Sequence, residues 1–482
     1  MTASPRLSDA TAAVVRPTSS GIVHLGVGAF HRAHQAAFTY EAALLTGETN
    51  WGITGFTQRS STVVEQLGPQ DGLFTLVQKG TEQTTATVVG SMLDVRNAAE
   101  NPDAVVEAIA DPATHIVTLT VTEKGYRLDP ASGRLRLDDP EIVADLSGRP
   151  PRTVVGQLVA GLARRMAGDA PLTVLCCDNL PSNGRILSDL VRAFVEARSM
   201  NDGLAEWIMR RVTFPSSMVD RIVPATTDHD RADNERRTGL RDDALVVCEP
   251  FRQWVIGDDF AGPRPAWERV GVQFVEDVEP WETMKLRVLN ATHSVLAYLG
   301  ILRGHNTIAE AVLDPELDEI CRAMVLRDVA PTTTAGMDAV GYGNEVRARF
   351  ANPALKHTTR QVAMDGSQKL GPRLLGTVRD ATAAGGSTDM LALAVAAWCA
   401  FVLTETEAGR ALDDPLSAQL ARAGSASDLL AVESIFGSDL GPTSPFGTQV
   451  IAWTDFLRTN SLSEWKRVLI CPPNTSYRSK TS

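Results

Sequence analysis

Residues 21–45, GIVHLGVGAFHRAHQAAFTYEAALL, change period midway. IVHLGVG is a continuous apolar run ending in glycines, the mark of a buried strand, and AFHRAHQAAFTYEAALL then carries helical spacing. The chain repeats this alternation. WGITGF (51–56) reads as a second strand, LFTLVQKG and TTATVVGSMLDV as added strands forming a hairpin excursion, and PDAVVEAIA as a helix. HIVTLTVTEKGY (115–126) is a further strand with a polar C-terminal end. TVVGQLVAGLARRMA, PLTVLCCDNLPSNG and RILSDLVRAFVEAR follow as helix, strand with turn, and helix. Strands alternating with helices imply a mostly parallel sheet covered on both faces.

The pattern shifts near residue 280. FPSSMVDRIVP, ALVVCEPFRQWVI and GVQFVEDVEPW still read as partly extended, whereas from Glu282 onward the periodicity is helical, broken by Pro and Gly. A chain of 482 residues is too long for one average domain. We therefore expect an α/β domain over 1–278 and a mainly α-helical domain over 279–482. The longest apolar run, LALAVAAWCAFVL (391–403), is shorter than the ~20 residues that span a bilayer and predicts a buried helix. The N-terminal stretch MTASPRLSDATAAVVRPTSS has no apolar core followed by a cleavage site, which predicts no signal peptide and a cytoplasmic protein. The net charge of −12, from 46 basic and 58 acidic residues, argues against a general nucleic-acid binder but leaves room for a locally basic site. Six cysteines, at 176, 177, 248, 321, 399 and 471, form no C-x-x-C pair. They read as free thiols rather than zinc ligands, with Cys176 and Cys177 on opposite faces of a strand.

Three groups of residues carry chemistry. In Gly26-x-Gly28-x-x-His31 a strand, glycines and a helix stand in the order of a dinucleotide-binding turn, with His31 in place of the usual third glycine. The helix N-terminus offers free N–H groups to a pyrophosphate; the simpler alternative is a turn and nothing more. After the second strand the usual acid is missing, and Gln58, Arg59 and Ser60 stand there instead. Arg59 is either an ordinary exposed arginine or a partner for a ribose 2′-phosphate. The second group lies on ETMKLRVLNATHSVLAYLG (282–300). At about 100° per residue, with Lys285 at zero, Glu282 falls at about 60°, His293 at about 80° and Asn290 at about 140°. Either this arc faces an active-site cleft, or Lys285 snorkels while the Asn and His satisfy backbone groups. The third group sits at strand ends: Asp178, Asn179 and Asn183 in CCDNLPSNG, Glu123 and Lys124 in VTEKGY, and Asp220 with Arg221 in MVDRIVP. Turn, cap or internal ion-pair roles are the alternatives to ligand contact there.

These segments resemble the polyol-specific long-chain dehydrogenases, the group of mannitol 2-dehydrogenase and the fructuronate (mannonate) reductases. The resemblance runs from about residue 21 to 375, through GIVHLGVGAFHRAHQA, TLTVTEKGY, CDNLPSNG, FPSSMVDRIVP, CEPFRQWVIGDDFAGPRPAWERVGVQFV, MKLRVLNATHSVLAYLG and VAMDGSQKLGPRLL. It implies a Rossmann-type N-terminal domain, a helical C-terminal domain, no metal, a monomer, and NAD as cofactor with NADP not excluded. The cofactor would meet Gly26, Gly28, Ala29, Phe30, His31, Arg32, Arg59 and Glu123. By the same resemblance Lys285 is the general acid/base, and a free lysine near pKa ~10.4 would need lowering to serve near neutral pH. Asn290 and Asn179 would donate to the developing alkoxide, with Asn183 as the other candidate, and His293 would hold a substrate hydroxyl. Glu282 would take part in proton passage, while Asp220, Asn183, Lys124, Lys369 and Gln361 would line the substrate. Lys124 suits a sugar-acid carboxylate if it does not simply face solvent. The leading expectation is interconversion of D-fructuronate and D-mannonate. The alternatives are D-mannitol/D-fructose, another polyol such as arabinitol, an oxidative decarboxylase of similar build, and a non-catalytic sugar or nucleotide sensor.

Overall fold

Six parallel strands form the first unit's main sheet: β1 (Ser20–Leu25), β2 (Gly52–Thr57), β3 (Met92–Asn97), β4 (Ile116–Leu119), β5 (Leu172–Cys176) and β6 (Val212–Thr213). They stand in the spatial order β3-β2-β1-β4-β5-β6. The chain builds outward from β1 through β2 to β3, then returns to the other side of β1 at β4. The β1/β4 boundary is therefore a topological switch point, where open parallel sheets leave a crevice at the strands' carboxyl ends. This computed structural model describes residues 4–129, 132–198 and 202–460. It divides into one unit ending at Glu279 and a second beginning at Pro280.

Alternation along the strands explains why the sheet carries helices on both sides. Val23, Leu25, Val117, Leu119, Val174 and Cys176 belong to one apolar core, while Ile22, Ile53, Ile116, Leu175 and Cys177 belong to another with Phe38, Trp254 and Trp267. Cys176 and Cys177 do face opposite sides, and neither is in a disulfide bond; Cys471 lies outside the described residues. The hairpin excursion exists: Phe74–Lys79 and Thr84–Val89 pair antiparallel and join Val246–Cys248 in a separate sheet. The run TTATVVGSMLDV is two strands, and its second half returns to the main sheet as edge strand β3. The partly extended stretches before residue 280 form a third sheet of Ser217–Asp220, Gln253–Gly257 and Gln273–Val275. Two expected elements break early. The helix after β1 stops at Ala33 and restarts at Gln35, because His34 takes φ −122° and ψ −89°. Strand β4 ends at Leu119, and Glu123–Tyr126 form a 3₁₀ turn.

The second unit is built of helices, with no strand among its described residues. Its axis is the helix Asp389–Glu407, which contains LALAVAAWCAFVL and is buried along nearly all its length. It is long and apolar enough to cross a membrane, but 83% of its most apolar window is buried inside the protein. Asp328 caps this helix from a distance, accepting from Ser387 Oγ at 2.7 Å and from the Met390 and Leu391 amides at 2.8 and 3.0 Å. At its other end Glu405 accepts two hydrogen bonds from Arg410, at 2.7 and 2.9 Å, and one from Arg360 at 2.9 Å. Arg410 is the main cause of a Glu405 pKa lowered from 4.5 to about 2. A depressed folded-state pKa stabilises the fold above the unfolded value, and that stability is lost as pH falls from about 4.5 towards 2. Glu405→Gln is thus expected to cost on the order of 2 kcal/mol at pH 7. In thermal melts the gap between the two proteins should close as pH falls towards 2; a gap independent of pH would contradict the assignment.

Candidate active site

The crevice at the carboxyl end of β1 and β4 is shaped by two glycines with different duties. Gly26 has φ +98°, and a Cβ there would meet the Thr120 carbonyl oxygen at 2.1 Å. The strand end closes tightly only because no side chain is present. Gly28 precedes the helix Ala29–Ala33, and a Cβ there would meet nothing nearer than the Gly26 oxygen at 3.8 Å. It borders open space into which a ligand can approach the backbone. Just past β2, the Gln58 amide is buried and neither of its polar atoms has a hydrogen-bond partner among the described residues. Native proteins rarely strand such groups unless water or a ligand completes them. Ala29 and Phe30 are half-buried and Arg59 is exposed, all three beside this crevice in sequence, while the Glu123 side chain lies outside the described residues.

Three of the residues expected to meet ligands in this unit are buried within the protein. His31 is fully buried, its ring stacked on that of His24 at 3.4 Å and 11°. It occupies the helix–strand interface that the missing third glycine would have left to backbone packing. His24 is fixed in turn by Thr118 at 2.7 Å and Thr120 at 2.9 Å, and burial lowers its pKa to about 3. Arg32 is buried and donates to the Ala244 carbonyl at 2.5 Å and the Gly28 carbonyl at 3.2 Å. It braces the turn from behind. Asn183 is fully buried; its amide donates to the Asp178 and Ser217 carbonyls at 3.0 and 2.7 Å, and its oxygen accepts from the Ser217 amide at 2.9 Å. Both N–H groups of that amide are thereby engaged. Asn179 is exposed on the turn after β5, Asp220 is buried at the end of Ser217–Asp220, and Lys124 is exposed on its 3₁₀ turn. Asp178 fastens these turns, accepting from the Val121 and Thr122 amides at 2.9 and 3.0 Å and from the Tyr126 hydroxyl at 2.6 Å. Arg221 spends its guanidinium on the Ala33 and Glu249 carbonyls instead of an ion pair with Asp220.

In the second unit the helix bearing Lys285 is not a plain α-helix. Glu279–Met284 is α-helical, Lys285–Asn290 is a π-helix, and Ala291–Leu302 is α-helical again. The wider π-turn advances about 82° per residue instead of about 100°, so Asn290 falls near 50° and His293 near −10° from Lys285. The arc of Glu282, Lys285, Asn290 and His293 narrows from about 140° to about 70°. Single π-turns inside α-helices cluster at functional sites. Lys285 and Glu282 are buried, at 8% exposure each. Arg373 supports the turn, donating to the Asn290 carbonyl at 3.4 Å and Ser294 Oγ at 3.0 Å. His293 lies against Phe350, ring centroids 4.5 Å apart, and meets His357 edge-on at 4.7 Å. Among the described residues neither the Asn290 amide nor the His293 ring makes a hydrogen bond, and His293 Nε2 is buried. Burial, then the charges of His357, Arg373, Lys369 and Arg349, holds the His293 pKa well below its usual value, so the ring is neutral at pH 7.

Lys369, on the helix Gly366–Leu370, donates to the Val362 carbonyl at 3.1 Å. Gln361 stands in the first turn of a short helix. Its oxygen closes the capping box of helix Thr359–Ala363, accepting from Thr358 Oγ1 at 3.2 Å. It lines a cavity of about 260 Å³ with Trp398, Phe401 and Glu405, which Lys285, Asn290, His293 and Lys369 do not line. Phe350, His357 and Arg373 were not singled out from sequence. His357 in KHTTR and Arg373 in GPRLL are plain in the sequence, but nothing in one sequence ties them to His293. Among the described residues no group of three or more His, Cys, Asp or Glu side chains is arranged to hold a metal ion.

Comparison with known proteins agrees with both units. Residues 20–269 match the mannitol dehydrogenase Rossmann domain and residues 277–454 the mannitol dehydrogenase C-terminal domain. YeiQ, an uncharacterized oxidoreductase of Escherichia coli, is 43% identical over 91% of this chain and 92% of its own length. The D-mannonate oxidoreductase of the same organism is 42% identical over 92% of this chain and 96% of its own. The solved mannitol 2-dehydrogenase of Pseudomonas fluorescens, in ternary complex with NAD and D-mannitol, superposes with a TM-score of 0.85 at 36% identity, covering 97% of this chain and 100% of that one. With a Rossmann-type N-terminal domain and a helical C-terminal domain each matching its counterpart, the chain belongs to the mannitol dehydrogenase family of oxidoreductases.

Proposed function

We propose that this protein interconverts a secondary alcohol and a ketone on a sugar acid, with D-mannonate and D-fructuronate as the pair and NAD as the cofactor. The observation that carries the reading is the π-turn, which brings a buried amine, an uncommitted amide and an uncommitted neutral imidazole onto one narrow face. The 42% identity to a D-mannonate oxidoreductase supports the substrate. The crevice at Gly28, with its orphaned Gln58 amide, fits a dinucleotide. The bound nicotinamide supplies the hydride acceptor in oxidation and the donor in reduction.

The chain's own residues manage the proton and the oxygen. The Lys285 amine, buried on that face, takes the hydroxyl proton in oxidation. The Asn290 amide donates to the oxygen as negative charge grows on it, a stabilisation that requires no metal. The His293 ring, neutral and held by Phe350, holds a neighbouring hydroxyl and so fixes which carbon reacts. The reverse reaction uses the same groups, with Lys285 returning the proton.

A second reading, D-mannitol to D-fructose, is favoured by the likeness to the mannitol 2-dehydrogenase structure. Initial rates at 340 nm with D-mannonate and D-mannitol, each with NAD⁺ and NADP⁺, separate the two. Faster turnover of D-mannonate with NAD⁺ is expected; faster turnover of D-mannitol would favour the second reading, and no turnover of either would overturn both. A subtler expectation concerns Gly28→Ala. The added methyl meets only open space, so the melting temperature should hold while NAD⁺ affinity falls roughly tenfold, measured by fluorescence titration.

A further inference from the structure

We propose that His357 is a specificity-determining residue that reads the acid end of a sugar-acid substrate. The inference rests on the proposed function and names a recognition element within it. Its first support is placement. The His357 carbonyl accepts from the Ile308 amide at 2.9 Å, the Thr359 amide donates to the Asn306 carbonyl at 3.0 Å, and Thr307 and Thr358 form an antiparallel bridge. Thr358 also caps the helix Thr359–Ala363. The backbone on both sides of His357 is thus pinned, and the half-buried imidazole projects from a fixed base.

The second support is what the ring touches. His357 stands edge-on to His293, centroids 4.7 Å apart and planes at 73°, while Phe350 stacks on His293 from 4.5 Å. Phe350 supplies the apolar contact that His293 needs for packing, so a second imidazole adds polar atoms to a region already walled. Neither imidazole makes a hydrogen bond to the protein among the described residues. Two uncommitted rings side by side form a donor pair that awaits a ligand. The third support is charge. Lys369 acts electrostatically on both rings, and with burial it lowers both pKa values. A carboxylate entering here would meet the ammonium field and an imidazole N–H together, a charge-assisted bond; a neutral hydroxymethyl group would gain only an ordinary one. His293 stays with the hydroxyl beside the reacting carbon, and His357 takes the next position along the substrate.

The test compares His357→Leu with His357→Gln, which retains an N–H donor, using KM for D-mannonate and KM or Ki for D-mannitol. His357→Leu is expected to raise KM for D-mannonate roughly 30-fold, with kcat within threefold and the D-mannitol constant within threefold. His357→Gln should recover most of the loss. Should the Leu variant fail to fold, His357→Asn, which is too short to reach, provides the same comparison. Equal losses on both substrates, or an unchanged KM for D-mannonate, would overturn the role of His357 while wild-type turnover of D-mannonate left the proposed function standing. A wild-type protein that turns over neither compound would overturn the proposed function and this inference with it.

Discussion

Lys285→Ala is expected to lower turnover of D-mannonate by roughly three orders of magnitude while leaving the NAD⁺ dissociation constant within about twofold. Proton transfer by a positioned side chain typically contributes 10²–10⁴-fold, and here the amine is buried on the narrow face that also carries Asn290 and His293. The loss should appear in kcat, because the proton moves only in the transition state. Removing an apolar stem from a buried position also costs stability, so melting curves accompany the kinetics. Lys285→Met retains the stem and should lose the same turnover with less loss of stability. Near-normal kcat in either variant would remove Lys285 from the chemistry.

Gly26→Ala carries the second large effect, on the fold itself. The new Cβ would lie 2.1 Å from the Thr120 carbonyl oxygen and 2.7 Å from its carbon, and both are backbone atoms that no side-chain rotation relieves. Overlap of this kind costs about 1–3 kcal/mol, and a φ of +98° adds strain of similar size for any residue with a side chain. The sum, roughly 2–6 kcal/mol, is a large share of the 5–15 kcal/mol that typically holds a domain together. Chemical denaturation should show a marked drop in midpoint and weak NAD⁺ binding. The contrast with Gly28→Ala is the informative part: two alanines two residues apart, one destabilising the fold and the other sparing it. Similar midpoints for both would contradict the crevice geometry.

The sequence made the two-part architecture legible because periodicity is local. Buried runs such as IVHLGVG and PLTVLCC announce parallel strands, and the loss of strand signals after residue 280 announces the helical unit. It also made the polar face of residues 282–293 visible as an anomaly. It could not show the π-turn, since KLRVLN has no glycine or proline to mark it, and the angles drawn from α-helical periodicity were correspondingly too wide. Four of the residues expected to meet ligands also have contacts within the protein. Arg32, Asn183 and Gln361 sit beside turns and helix starts, where polar side chains serve backbone groups as readily as ligands, and the His31 ring stacks on His24. Only the hydrogen-bond partners distinguish the two. His357 escaped notice for the opposite reason, because its neighbour His293 lies 64 residues earlier and only the fold brings the rings together.

The most direct measurement uses D-mannonate carrying deuterium on the carbon whose hydroxyl is oxidised, incubated with the wild-type protein and NAD⁺. The reduced cofactor is then analysed by mass spectrometry. The account predicts that the deuterium appears in the nicotinamide ring, one per ketone formed, with slower turnover than for the unlabelled compound. Ketone formed without deuterium in the cofactor, or no ketone at all, would contradict it.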